Sequence, residues 1–276
     1  MGRSGKESGV PLGRELPFPR EYAPDVLFAV SRSETRRDLA IPSPLPFRGI
    51  DIWNAWELTW LDRDGRPRVA TAEIRVPADS ESIVESKSLK LYLNSFAYSR
   101  YRDRTELAAM IRRDLSATVG SEVAVTLAGP EAAGSTRIAV LPGDCIDAEP
   151  GNFRYSPVDA SRLRSSGTGI VDEALYSHLL RSNCPVTNQP DMGSVLIRYR
   201  GRPIDRGGLL EYIVSYRDHN AFHEACVEQM FMDIRARCGT ESLSVYARYT
   251  RRGGIDINPF RSDCESSVED LRLWRQ

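Results

Sequence analysis

Apolar positions along this chain fall into strand-like and helix-like periods that recur in the same order. Trp53 to Trp60 is aromatic-rich and reads as a strand. Asp62-Arg63-Asp64-Gly65-Arg66-Pro67 supplies a turn, and Arg68 to Val76 returns as an alternating strand. The period then lengthens. Leu89, Leu93 and Phe96 place one apolar stripe on a helix over Ser86–Phe96. Leu107, Ile111 and Leu115 do the same over Thr105–Val119, with Gly120 as the stop. Glu122 to Leu127 is the next strand, and Arg137 to Leu141 is a further candidate.

The stretch from Gly143 to Gly169 is rich in Pro, Gly and Ser and reads as a connector. Beyond it, Ser194–Tyr199 is a strand, Gly201-Arg202-Pro203 a turn and Leu209–Tyr216 a second strand. A helix over Ala221–Arg237 buries Cys226, Met230 and Ile234, with Gly239 as its stop, and Ser242–Tyr249 closes the series as a strand. The order suggests a duplicated strand–strand–helix–strand unit. Residues 1–45, with six prolines and little periodicity, read as an extended arm over the surface. The organisation expected is therefore an arm (1–45), a first module (46–142), a connector (143–182) and a second module (183–276), in the α+β class.

Composition narrows the setting. A 41% hydrophobic and 27% charged chain can build a core and is too apolar for disorder. No apolar run approaches the roughly 20 residues that span a bilayer, and the polar start shows no signal peptide. A soluble, cytoplasmic protein is expected, with no membrane partner. The five cysteines, an odd number without a CxxC pair, suit reduced thiols better than a disulfide framework or a zinc site. The formal net charge of −1 lacks the basic surplus that grips a polynucleotide, so a small ligand is expected and no direct nucleic-acid contact.

Four segments could carry chemistry. Ser182-Asn183-Cys184-Pro185-Val186-Thr187-Asn188-Gln189-Pro190-Asp191 is a polar, proline-bearing loop that should expose its thiol, with Asp191 near enough to approach if the loop folds back. A carboxyl group kept protonated by burial could give a proton to a developing nitrogen anion. The same spacing suits an incidental cysteine beside a turn-forming Asp. Val84-Glu85-Ser86-Lys87-Ser88-Leu89-Lys90-Leu91-Tyr92 opens the first-half helix, its lysines suiting a solvated face. His219-Asn220-Ala221-Phe222-His223-Glu224 opens the second-half helix. Glu85 and Glu224 thus occupy related positions, and one Glu can meet the ring N–H and exocyclic NH2 of a guanine-like base. His223 could equally be a packing residue. Arg251-Arg252-Gly253-Gly254 suits either a phosphate or a plain hairpin turn. No GxGxxG follows a strand, so a Rossmann site is not indicated.

Taken together, these segments resemble the NADPH-dependent 7-cyano-7-deazaguanine reductases, the nitrile reductases of the queuosine pathway. Glu85-Ser86-Lys87-Ser88-Leu89-Lys90-Leu91-Tyr92 fits the family's signature helix at every position, and Cys184 to Asp191 matches its nucleophile and acid loop. With the signature in the first half and the cysteine in the second, the chain looks like the long, two-module subgroup. The resemblance implies tandem tunnelling-fold modules, antiparallel sheets backed by helices, that bind a purine-like base at a module interface and assemble as a homodimer. It implies Cys184 as a covalent nucleophile forming a thioimide with the nitrile, and Asp191 as proton donor. Val84, Glu85, Ser86, His223 and Glu224 would meet the base, and Ser86, Lys87, Arg252 and Gly253 would meet NADPH. No metal is implied. Its rivals are a pterin cyclohydrolase or aldolase of the same fold, the former needing zinc ligands from a chain with three His, and a non-catalytic purine-binding module.

Overall fold

The computed structural model describes residues 18–135 and 137–276. Of the expected arm, residues 1–17 lie outside the described residues. The rest of it is not simply extended. A short strand β1 (Ala29–Ser31) leads into helix α1 (Arg32–Asp38), whose start is fixed by Ser31 accepting from the Ser33 N–H. Then come β2 (Arg48–Leu61), β3 (Pro67–Pro77) and the short β4 (Ser82–Val84), with helices α2 (Ser86–Asn94) and α3 (Arg104–Val119) behind them. Asp103 caps α3 through the Glu106 N–H, and Gly120 ends it at φ +69°, the left-handed conformation glycine adopts without strain.

Strand β5 (Ala124–Ala128) follows, then the two-residue strands β6 (Ile138–Ala139) and β7 (Asp144–Cys145); β6 is all that the structure forms of the expected strand over Arg137–Leu141. The stretch 143–182 is more than a connector, because it carries β8 (Val171–Ser177), which pairs antiparallel along seven residues with Val195 to Gly201. The remaining elements are β9 (Arg181–Asn183), β10 (Pro190–Gly201), α4 (Arg206–Ser215), α5 (His223–Cys238), β11 (Ser242–Tyr249), β12 (Ile255–Ser262) and β13 (Arg272–Leu273).

Two expectations for the second half are corrected. Leu209–Tyr216 is not a strand but most of α4 with the residue that follows it. Its start is set by Asp205, whose carboxylate accepts from the Gly208 N–H at 2.6 Å. The run is buried on nearly every side, so it carries no periodicity to separate helix from strand. Strand β12 is an addition: Pro259 argues against a strand in sequence, and the buried Asp256, Asn258 and Arg261 obscure an apolar pattern, yet the pairing with β2 runs unbroken through Asn258 and Pro259.

These additions change the repeat. By chain order alone, each half offers strands, a helix pair and a further strand, and α2 then takes the place of α4 and α3 that of α5. Glu85, the N-cap of α2, therefore corresponds to Asp205, the N-cap of α4, and not to Glu224 on α5.

One sheet runs β5-β3-β2-β12-β11-β10-β8-β7, with β9 added alongside β10. The halves join where β12 pairs β2, Ile255 opposite Ala55 through Ser262 opposite Arg48. Two large apolar cores follow from this, beside a smaller cluster of Leu141, Leu196, Tyr246, Phe260 and Leu273. One packs Leu89, Tyr92, Leu107, Ile111 and Leu115 of α2 and α3 on Trp53 and Ile74; the other packs Leu209, Ile213, Met230 and Phe231 of α4 and α5 on Val195 and Val245. The seam between them is where both halves present helix starts and strand ends.

Candidate active site

The loop that carries Cys184 is a tight reversal between paired strands. Asp191 lies opposite Ser182 and Pro190 opposite Asn183. Across the turn the Cys184 N–H donates to Gln189 O at 2.9 Å, and the Asn188 N–H donates to Cys184 O at 3.0 Å. Asn188 closes the turn at φ +55°, and its Oδ1 accepts from Asn220 Nδ2 at 2.9 Å, tying the loop to the segment that enters α5. The expected exposed thiol is not found. Cys184 is 8% exposed, turned inward against Val84, Ser86, Phe222 and Ile257.

Burial alone would push that thiol up. Hydrogen bonds from the Thr187 hydroxyl, the Thr187 and Val186 N–H groups and Arg252 outweigh it and hold Cys184 below its ordinary value. The contrast with the core thiols is sharp: burial pushes Cys226 up to about 12 and Cys238 up to about 11.

Asp191 faces the same cleft. Arg252 Nε donates to Oδ1 at 3.0 Å and His223 Nε2 lies 3.3 Å from Oδ2. Here too burial would raise the carboxyl, but His223 and Arg252 dominate and hold it below the usual carboxylate range. The expectation of a carboxyl kept protonated by burial is thus corrected: in this geometry Asp191 is a carboxylate between two partners. His223 is fixed from the other side, stacked on the Tyr249 ring at 3.8 Å between centroids and 12° between planes.

Glu224 stands one residue on, in the first turn of α5, and is 4% exposed. Its Oε1 has no hydrogen-bond partner, although a buried carboxyl oxygen ordinarily has one. Burial, then the charge of Asp51, push the group up to about 7. Glu85 behaves differently. Its two oxygens accept from the Lys87 N–H at 2.9 Å and the Ser88 N–H at 2.8 Å, so it caps α2 and does not line the cleft. The structure thus brings Val84, Ser86, Cys184, Asp191, His223, Glu224 and Arg252 around one cleft and leaves Glu85 behind its wall.

Above the cleft, Gly253 runs close to Lys90. A Cβ at Gly253 would meet Lys90 Cε at 3.2 Å, and the residue's φ of +64° also favours glycine. Burial and Arg252 push the Lys90 ammonium down, while Glu85, Asp191 and Cys184 pull it up. This lysine sits amid the site's charges, although its i, i+3 relation to Lys87 reads as a solvated face. Lys87, Lys90 and Gly253, which has no side chain to block a close approach, fit a phosphate-bearing cofactor. Arg252, expected to serve that cofactor, is engaged with Asp191 and with Gln189 Oε1 at 2.9 Å. Roomier hollows lie elsewhere. One of about 380 Å³ runs between Trp56, Thr71, Ala128 and Arg272, but no cysteine, histidine or carboxylate lines it, so it lacks the groups for covalent chemistry.

Comparison with known proteins bears directly on this cleft. Residues 18–127 match the family described as nitrile reductase, 7-cyano-7-deazaguanine-reductase N-term, and residues 190–268 match the family described as QueF-like protein. The protein named NADPH-dependent 7-cyano-7-deazaguanine reductase in Bordetella avium (strain 197N) is 50% identical over 273 residues, 98% of this chain and 99% of its own. The chain belongs to the 7-cyano-7-deazaguanine reductase family. Reductases of the same name from Desulfotalea psychrophila (strain LSv54 / DSM 12343) and Azoarcus sp. (strain BH72) are 48% and 50% identical over 98% and 96% of the chain. Because these reductases align almost end to end, the relationship includes residues 128–189, with Cys184, which the two family matches leave between them. A crystal structure of the archaeosine synthase QueF-Like in the apo form aligns with 38% of this chain at 16% identity and a TM-score of 0.31, a likeness too slight to bear on the fold.

Proposed function

We propose that this chain reduces the nitrile of 7-cyano-7-deazaguanine to an aminomethyl group in four electrons, through a thioimide on Cys184, as a step of queuosine biosynthesis. The observation that carries the reading is the cleft itself: a thiol held below its ordinary value, a carboxylate paired to His223 and Arg252, and the unpartnered carboxyl of Glu224. Nothing in a purine-binding module calls for the first two.

NADPH, when bound, supplies the two hydrides that four-electron reduction requires, and Ser86, Lys87, Lys90 and Gly253 are the residues that would hold it. Glu224 accepts from the ring N–H and exocyclic NH2 of the base, which orients the nitrile toward Cys184. Glu85 serves behind it by fixing the start of α2.

Cys184 sulfur attacks the nitrile carbon and one C–N π bond opens. The thiol proton passes to the Asp191 carboxylate and from there to the nitrogen, so the adduct step consumes no external proton. The carboxylate resting state suits this exchange, since Asp191 must accept a proton before it gives one. Once the carbon is reduced to a thiohemiaminal, the C–S bond breaks, Cys184 is regenerated and an imine remains for the second reduction. Covalent attachment turns a poor hydride acceptor into a better one and holds it in place. His223, stacked on Tyr249, keeps Asp191 aimed.

The seam location fits tandem tunnelling-fold modules that share one base site, with the chain acting in the cytoplasm as a homodimer. Intact-mass measurement after adding the base without NADPH tests the covalent step. The expected result is a gain of one base per chain in the parent and none in Cys184→Ala; a parent that binds the base without any mass gain would remove the thioimide from the reading.

A further inference from the structure

Glu224 is backed by a buried ion network that the reaction does not use. Segment β1–α1 lies across β4, and a small cavity there is walled by Arg32, Thr35, Ile83, Glu224 and Glu228. Arg32 is 5% exposed, with Nε donating to Ser80 Oγ at 3.0 Å and Nη2 to Asp51 Oδ2 at 2.6 Å. The other Asp51 oxygen accepts from Arg261 Nη1 at 2.7 Å, and Arg261 Nε donates to Glu228 Oε1 at 3.0 Å. Arg36 forks onto Glu228 at 2.7 and 2.9 Å.

Three guanidinium groups (Arg32, Arg36, Arg261) thus face two carboxylates (Asp51, Glu228), a formal excess of one positive charge, with Arg32 and Arg261 buried and Arg36 at the partly exposed edge. Uncompensated buried charge is costly, and the next carboxyl is Glu224, one turn before Glu228 on α5. The charged and titratable groups around Glu224 are Asp51 of β2, Arg32 of α1 and His223, Cys226 and Glu228 of its own helix. Arg261 of β12 lies behind, and Cys184, Asp191 and Arg252 face it across the cleft.

We infer that Arg32 is a positioning residue for base recognition: across the small cavity that it shares with Glu224, its buried charge offsets that of Asp51 and favours the Glu224 carboxylate that a base needs. The inference rests on the substrate reading above. Asp51 opposes ionisation of Glu224, whereas His223 and Arg32 favour it, so removing the Arg32 charge should move ionisation to higher pH. A base that donates two N–H groups needs the carboxylate, and its affinity should follow that ionisation.

The test is calorimetric titration of 7-cyano-7-deazaguanine into the full-length Cys184→Ala protein from pH 6 to 9, alone and with Arg32→Gln or Arg32→Lys. The parent should lose affinity as pH falls through neutrality. Arg32→Gln should bind roughly five- to tenfold more weakly at pH 6–7 and within about twofold of the parent at pH 9, and Arg32→Lys should restore most of the difference. Equal weakening of Arg32→Gln at every pH, or no change, would overturn the inference and leave the substrate reading standing. A parent that binds no base at any pH removes both. If Arg32→Gln gives no cooperative melt, Arg36→Gln at the edge of the network should show a smaller shift in the same direction, and its absence is equally decisive.

Discussion

Arg252 reaches from the turn between β11 and β12 to place its Nε 3.0 Å from Asp191 Oδ1, and the same guanidinium also stabilises the Cys184 thiolate. One cation thereby serves both the nucleophile and the group that moves its proton. Replacing Arg252 with Met should raise the thiol's apparent pKa and slow its alkylation at pH 7 by about tenfold. The pH profile of iodoacetamide labelling at Cys184 reads this directly, and an unmoved midpoint would mean that Arg252 does not act on the thiol.

Asp191→Asn keeps the size of the side chain and removes its ability to carry a proton. Adduct formation should fall by about 10²-fold or more while the base still binds. Stopped-flow measurement of adduct growth against equilibrium binding separates the two effects. Loss of binding with an unchanged adduct rate would assign Asp191 to recognition instead.

Glu224 links stability to pH. Its folded value of about 7 lies above the ordinary carboxyl value, so between pH 4.5 and 7 the folded state binds more protons than the unfolded state. Stability contributed by the protonated form is therefore present at low pH and lost as pH rises toward 7, at about 3 kcal/mol over that window. Without ligand, Glu224→Gln should flatten this fall and melt higher than the parent at pH 8. A Gln variant that tracks the parent's pH dependence would show that Glu224 titrates normally.

Much of this is legible in the amino-acid sequence. The aromatic run from Trp53 to Trp60, the alternation from Arg68 to Val76 and the helical stripes at Leu89 and Leu107 carry the first half; β3 and α3 keep a wetter face, whereas β2 is buried on both faces from Asp51 to Ala55 and is marked by its aromatic residues. The second half hides α4 and β12, where Leu209–Ser215 and Ile255–Ser262 are buried almost throughout and periodicity vanishes. The cleft was legible at Cys184, Asp191, His223 and Glu224 because a family motif and loop chemistry mark them. Arg32 and Lys90 were not, since their surroundings are set by groups distant in sequence: Arg32 bonds Asp51, and Lys90 feels the charges of Asp191 and Arg252. Burial of Cys184 was equally hidden, because a polar, proline-bearing loop reads as exposed whether or not a neighbouring half covers it.

Asn188 holds the nucleophile loop at φ +55°. Asn188→Gly should retain that backbone, whereas Asn188→Ala should be less stable than the glycine variant by roughly 1 kcal/mol, and both lose the amide bridge to Asn220. Chemical denaturation of the pair measures the difference. Equal stability would indicate that the turn relaxes out of the left-handed region.

Stoichiometry decides whether the reduction takes four electrons and runs through Cys184. NADPH oxidation should be followed on adding a limiting amount of 7-cyano-7-deazaguanine, with Cys184→Ala alongside. The parent should consume two NADPH per base and the variant none above background. One NADPH per base, or undiminished oxidation in Cys184→Ala, would contradict a four-electron reduction through the Cys184 thiol.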